Sequence, residues 1–368
     1  MIIKGVRAEK ILAADGSSTL KVTINNNYSA SVPSTGKLSP STIRFLNTSK
    51  KFIGIDINNF DELAKLEEFE EKLGKNGILA LQYAALRAVA DKDSVWYYLN
   101  KKARLMPTPL GAIIGGGKQT IKSSSDIQEF LLIPQGKTFQ DNALANELVW
   151  RKVKKDYPRN PITDQGAFVL RKSSAEILSY LSDLISNLGL GFPVHLGVDI
   201  AASNLYRSGK YSYRCYSAKT QNKSMSKDGQ VGFINHLVKE YDLKYVEDPL
   251  HLEDVCDYAK IQSKIVCGDD VTCTDINLLK KYKNHLSAVI IKPDQVGSVV
   301  KTKEVISYCD DNDIIPVMSH QLADTSDDMI SHLSVAWCTP FIKCGIQGRE
   351  MRAKIQTLQA IGRQIELY

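Results

Sequence analysis

Three carboxylates and two lysines each close a short apolar run in the second half of this chain. The runs are PVHLGVD ending at Asp199, LKYVE at Glu247, KIVCGD at Asp269, SAVIIK at Lys292 and PFIK at Lys343. IIPVMSH ends in the same way at His320. Hard carboxylate oxygens suit a divalent cation. A lysine beside such charges can act as a general base when its pKa is shifted. The set therefore points to a divalent metal working with a general base.

The elements that must position these groups follow from the spacing. After Glu247 the runs recur roughly every 22–28 residues, the length of one strand, one helix and two loops. A polar residue closing a buried parallel strand sits at the carboxyl end of a barrel or sheet, where α/β enzymes place their chemistry. The first hundred residues read differently. KVTINNNYSASVP alternates around an Asn-rich turn and predicts a β-hairpin. KFIGIDI predicts a strand over 51–57, followed by helices over 59–74 and 76–101. Pro107 and Pro109 then mark a boundary. Beyond it come a strand at AIIGGG, a strand at IQEFLLIP, helices over 138–156 and 173–189, and repeated strand–helix units. The expected fold class is α/β. An N-terminal α+β capping domain (1–106) precedes a (β/α)8 barrel (107–368) with an irregular ββαα start.

Composition narrows the function classes. At 368 residues the chain suits a barrel plus an accessory domain. Its 43% hydrophobic and 24% charged content is that of a soluble globular protein. The net charge of +6 is spread along the chain, and Lys152, Lys154 and Lys155 read as a solvated helix face. No nucleic-acid module accompanies them. No apolar run reaches the ~18 residues of a membrane span, and the N-terminus is not a signal peptide. The seven cysteines form no C-x-x-C pair; Cys215, Cys267, Cys309 and Cys338 lie in apolar runs. They read as reduced core residues of a cytoplasmic protein.

The motifs together resemble enolase (phosphopyruvate hydratase) over nearly the whole chain. LGKNGILALQYAALRAVA is similar to the family's LGANAILGVSLA, and DIQEFLLIP to its QEFM strand. GVDIAAS, VEDP, GDDVTCT, KPDQVGS, MSH and IKCG are similar to D-x-AAS, IEDP, DDLTVT, K-x-NQ-x-G, SH and IKTG, in the same order. The resemblance implies a magnesium-dependent hydro-lyase that converts 2-phosphoglycerate to phosphoenolpyruvate through an enolate. It implies Mg2+ on Asp199, Glu247 and Asp269, Lys292 as general base, and Lys343 on the substrate carboxylate. Glu129, with Gln128, would help the hydroxide leave, and His320 would contact substrate. Asp248 and Asp270 are expected to face away from the metal. A small, phosphorylated carboxylate substrate, a cytoplasmic location and a homodimer are implied too. The alternative for the acids is a buried cluster of salt bridges to Lys292 and Lys343 without metal.

Four departures from the family pattern share one side of the expected site. TDQGA places Gln165 where the family's GDEGG has a catalytic glutamate, and glutamine cannot transfer a proton. SHQLADT places Gln321 and Leu322 where SHRSGET has a phosphate-binding arginine and serine. GGGKQT places Lys118 or Gln119 near a family histidine, and Lys118 is the candidate replacement cation. The turn does not make a P-loop, because Gln119 stands where Ser or Thr would bind magnesium. The family's mobile loop is shortened to Pro33-Ser34-Thr35-Gly36. Three functions remain in view: the hydratase itself, a related enzyme with a different carboxylate substrate, and a catalytically impaired relative kept for binding.

Overall fold

The computed structural model describes residues 1–36, 38–120 and 124–366. At the N-terminus, β1 (Val6–Leu12), β2 (Ser18–Ile24) and β3 (Tyr28–Ser31) form an antiparallel meander. The β2–β3 turn uses Asn25 and Asn26 at φ 52° and 60°, a left-handed conformation that asparagine tolerates. Strand alternation sends Leu20, Val22 and Ile24 to one buried face. Helix α1 (Pro40–Thr48) follows, capped by the Ser39 side chain. KFIGIDI is not a strand. Lys50–Phe52 is a 3-10 turn, Gly54 takes φ 89°, and only Asp56 bridges to Ile2.

The helices expected next are also differently divided. Asp61–Phe69 winds in 3-10 turns, and α2 (Glu70–Ala90) is bent at Gly74, whose φ of 65° interrupts the helix. Helix α2 ends before Asp91, and a separate short helix α3 (Val95–Leu99) completes the stretch. From Gly77 to Leu86 every residue of α2 is buried. A helix apolar all round belongs between two layers. It shares one core with Leu20 and Val22 of the meander and with Val299, Val305 and Met318 of the barrel part.

The rest of the chain closes a mixed eight-stranded barrel. Its strands are β4 (Thr108–Gly115), β5 (Glu129–Pro134), β6 (Val194–Asp199), β7 (Tyr245–Glu247), β8 (Ile265–Gly268), β9 (Ala288–Ile291), β10 (Ile315–Ser319) and β11 (Phe341–Lys343). Phe341 pairs with Thr108 in parallel, which closes the ring. Strand β5 runs antiparallel to both β4 and β6; the others are parallel. Two helices, α4 (Phe139–Asp156) and α5 (Ser174–Leu188), follow β5, each begun by a capping box, Thr138 with Asp141 and Ser173 with Glu176. Ala288 and Ile290 of β9 fill the interior, while Val289 and Ile291 pack outward, as the two-residue period requires. Cys267, Cys309 and Cys344 are buried, but Cys215 is half-buried and Cys338 is exposed, so those two are not core residues; all seven thiols are free. Cys338 sits at φ 54° in the turn after a helix, where its apolar neighbours no longer cover it. Among the described residues no helix is long and apolar enough to cross a membrane.

Candidate active site at the mouth of the barrel

Strand register brings the acids together. Glu247 closes β7 opposite Asp199, which closes β6. Asp199 is paired in turn with Glu129. Because β5 is antiparallel, its first residue, not its last, reaches the same rim. Lys343 closes β11 and pairs with Ser319. Its Nζ crosses to Glu129 Oε2 at 2.8 Å, Asp199 Oδ2 at 2.9 Å and Glu247 Oε1 at 2.8 Å. On the opposite wall Lys292 Nζ meets Asp269 Oδ2 at 2.6 Å.

Neighbouring groups hold these side chains in place. Gln128 Nε2 donates to Asp199 Oδ2 at 3.2 Å, and the Ala201 amide donates to Oδ1 at 3.0 Å. Thr274 Oγ1 accepts from the Lys292 amide and donates to Gln295 Oε1. His320 Nδ1 lies 2.7 Å from the Lys343 carbonyl oxygen, so the neutral ring donates from Nδ1. Gln321 Nε2 donates to Asp294 Oδ2 at 3.0 Å.

The electrostatics follow from burial and pairing. Burial pushes the Lys343 ammonium toward deprotonation, but Asp199, Glu129 and Glu247 outweigh it and hold its pKa well above the usual lysine value. Lys292 is also raised, since Asp269 outweighs its burial. A general base near neutral pH calls for a lysine shifted downward, whereas Lys292 in this state is shifted upward, because its nearest charge is a carboxylate. Glu247 is pushed up by burial and further by Asp199, with Lys343 opposing. Burial lowers His320 to about 3, so the imidazole is neutral.

Most of the expected residues share one cavity of about 330 Å³. Gln128, Glu129, Gln165, Asp199 and Asp269 line it together with Lys292, His320, Gln321 and Lys343. Glu247 is fully buried and attached through Lys343. Lys118 is not brought there. It is exposed in the 3-10 turn Gly117–Gln119 and does not line the cavity. Ser34 of the shortened loop does not line the cavity either: its hydroxyl donates to the Ser18 carbonyl and its amide to the Ala323 carbonyl. Asp270, expected to face away, lines the cavity: β8 already ends at Gly268, so strand alternation no longer applies. Asp248 does stay behind, at φ 41°, accepting from the amides of Asp269 and Asp270. The lining residues Asn204, Ser319 and Gln295 were not singled out; Gln295 lies inside the KPDQVGS motif.

The residues fit a hard divalent cation. Five carboxylates (Glu129, Asp199, Glu247, Asp269 and Asp270) face or adjoin the cavity against the ammoniums of Lys292 and Lys343. Such an excess of buried negative charge favours a further cation. Asp269 Oδ1 is buried without a hydrogen-bond partner. As the side chains stand, among the described residues no three His, Cys, Asp or Glu side chains close on one point. Lys343 holds Asp199 and Glu247, and Lys292 holds Asp269. The lysine pairs of the alternative reading are therefore present, and a cation would share these carboxylates with Lys292 and Lys343.

Fold and site define an eight-stranded α/β-barrel protein with an acid- and lysine-lined pocket at the strand ends. The family model described as "Enolase, C-terminal TIM barrel domain" matches residues 103–366. The chain is 31% identical to the enolase of Archaeoglobus fulgidus over 333 residues, 84% of this chain and 81% of that protein. It is 33% identical to the Pyrobaculum aerophilum enolase over 338 residues, covering 85% and 79%. Against the Methanothermobacter thermautotrophicus enolase it is 29% identical over 408 aligned positions, covering 99% and 97%. The chain belongs to the enolase family.

Proposed function

We propose that the protein is a Mg2+-dependent carbon–oxygen hydro-lyase of the phosphopyruvate hydratase type, acting on a small hydroxy acid. The observation that carries this reading is the convergence of Lys292, Lys343 and Glu129 with the three carboxylates on one barrel rim. Asp199, Glu247 and Asp269 would hold the metal, which supplies positive charge against the enediolate. Lys343 would hold the substrate carboxylate by charge-assisted hydrogen bonds. Lys292, in its neutral form, takes the proton from Cα, and the C–H electrons move into the carboxylate. The Cβ–O bond then breaks as the C=C bond forms, and Glu129, in its protonated form, gives the hydroxyl the proton with which it leaves as water. Gln165 contributes a hydrogen bond and no proton. His320 is neutral and, with Nδ1 donating to the Lys343 carbonyl, keeps Nε2 as an acceptor for substrate.

The family resemblance supports a homodimer working in cytoplasmic glycolysis, with residues 1–106 capping a catalytic part, 107–368. It also makes 2-phosphoglycerate the first substrate to test. A changed carboxylate substrate is favoured by one observation: Gln321 and Leu322, which line the cavity where the family pattern has an arginine and a serine, carry no charge. The test is exchange of the α-proton of candidate acids in deuterated water with Mg2+, beside the Lys292→Ala variant. Exchange that disappears in the variant supports the reading. Exchange that persists in it, or that no acid undergoes, overturns it.

A further inference from the structure

A second cavity of about 420 Å³ adjoins the first, and Gln165 and Leu322 line both. Its wall includes the apolar side chains of Pro161, Ile162 and Val169 and the hydroxyls of Thr120 and Thr163. Its charged residues are Asp15 and Asp164. Among the described residues, the cations lining the two cavities are Lys292 and Lys343, and both are already committed to carboxylates. Asp15 is held below the usual carboxylate range by the Ser17 hydroxyl and amide, so it stays charged.

Gln165 supplies the second observation. It is only 6% exposed, and among the described residues its carboxamide has no hydrogen-bond partner. The amide opens onto the two connected spaces, so whatever fills them is what it must meet. A carboxamide offers one acceptor and two donors, and carboxylates such as Asp15 and Asp164 only accept. Hydroxyl groups satisfy both. A phosphate satisfies neither carboxylate, and it would place about two negative charges beside them. At about 30 Å³ for each water-sized group, the space holds a chain of several hydroxylated carbons.

We propose that the second cavity receives the far end of the substrate, and that this end is an uncharged, hydroxyl-bearing chain instead of a phosphate. Gln165 and Leu322 are then the residues that set specificity. The proposal rests on the carboxylate chemistry above, so binding and chemistry are read separately.

Binding is read as the shift in melting temperature of the whole protein in saturating Mg2+. The probes are a panel of aldonates from glycerate to gluconate, and 2-phosphoglycerate. The expected result is stabilisation by a longer aldonate and little by 2-phosphoglycerate. Leu322→Arg, a change at an already exposed side chain, should reverse that order. Gln165→Ala should weaken aldonate binding by about tenfold. Tighter binding of 2-phosphoglycerate than of any aldonate, or binding of neither, overturns the proposal. Exchange of the α-proton of the bound acid separates the two readings. Aldonate binding without exchange leaves the distal cavity assigned and removes the lyase chemistry. Preferential binding of 2-phosphoglycerate with exchange does the opposite.

Discussion

The phenol of Tyr245 donates a 2.7 Å hydrogen bond to Oε2 of Glu247, and both side chains are fully buried in the barrel. Gly197, paired with Tyr245 on the next strand, makes the room; a Cβ there would lie 3.0 Å from that of Tyr245. With Oε2 engaged, Oε1 faces Lys343. Tyr245→Phe should lower stability by about 1–2 kcal/mol, through the lost hydrogen bond to a buried carboxylate. It should also weaken Mg2+ binding by about tenfold, as loss of a group that orients a ligand does. Urea unfolding and calorimetric titration with Mg2+ check the two effects; unchanged Mg2+ affinity would remove Glu247 from the metal set.

Lys343 pairs with three buried carboxylates at once. Lys343→Met leaves them facing one another and should cost about 3–5 kcal/mol in denaturant unfolding. Mg2+ should recover part of that loss, because a divalent cation takes over the neutralisation. A variant whose stability ignores Mg2+ counts against the metal assignment.

His320 gives a pH dependence with a definite sign. Burial lowers it from the ordinary 6.5 to about 3. Above about pH 6.5 neither the folded nor the unfolded chain holds the extra proton, and the group has no effect. As pH falls from about 6.5 toward 3, the unfolded chain takes the proton first, so stability drops by up to about 1.4 kcal/mol per pH unit. His320→Asn should flatten this part of the melting-temperature profile relative to the parent. Parallel profiles for the two proteins would show that the buried ring is not its source.

Gln165→Glu, Gln321→Arg and Leu322→Ser together restore a proton-transferring group and a phosphate-binding charge. Turnover of 2-phosphoglycerate, followed as phosphoenolpyruvate absorbance, should rise by at least about 10²-fold. If it does not, the fault lies elsewhere in that half of the site, where the Pro33–Gly36 loop is short and Ser34 is tied to Ser18.

The order of the motifs determined the family, the barrel and the acid–lysine set. Each key residue closes an apolar run, and a buried parallel strand leaves its last residue one place to go: the rim. Helices α4 and α5 were legible for a similar reason, since their capping boxes and apolar spacing are local. KFIGIDI was not. Its alternation suits a strand, but Gly54 turns the chain and the pairing reaches only the first three residues of the chain. Asp270 and Lys118 also needed the tertiary structure. Asp270 reaches the cavity because β8 stops two residues earlier, and strand ends are set by what the neighbouring strand can pair. Lys118 stays outside although its turn lies near the site in sequence order. Above all, sequence could name the charged groups but not their partners. That Lys343 sits among Glu129, Asp199 and Glu247, and Lys292 on Asp269, depends on register across the closed barrel. Coulomb forces over a few ångströms in a poorly solvated mouth then decide which charges pair.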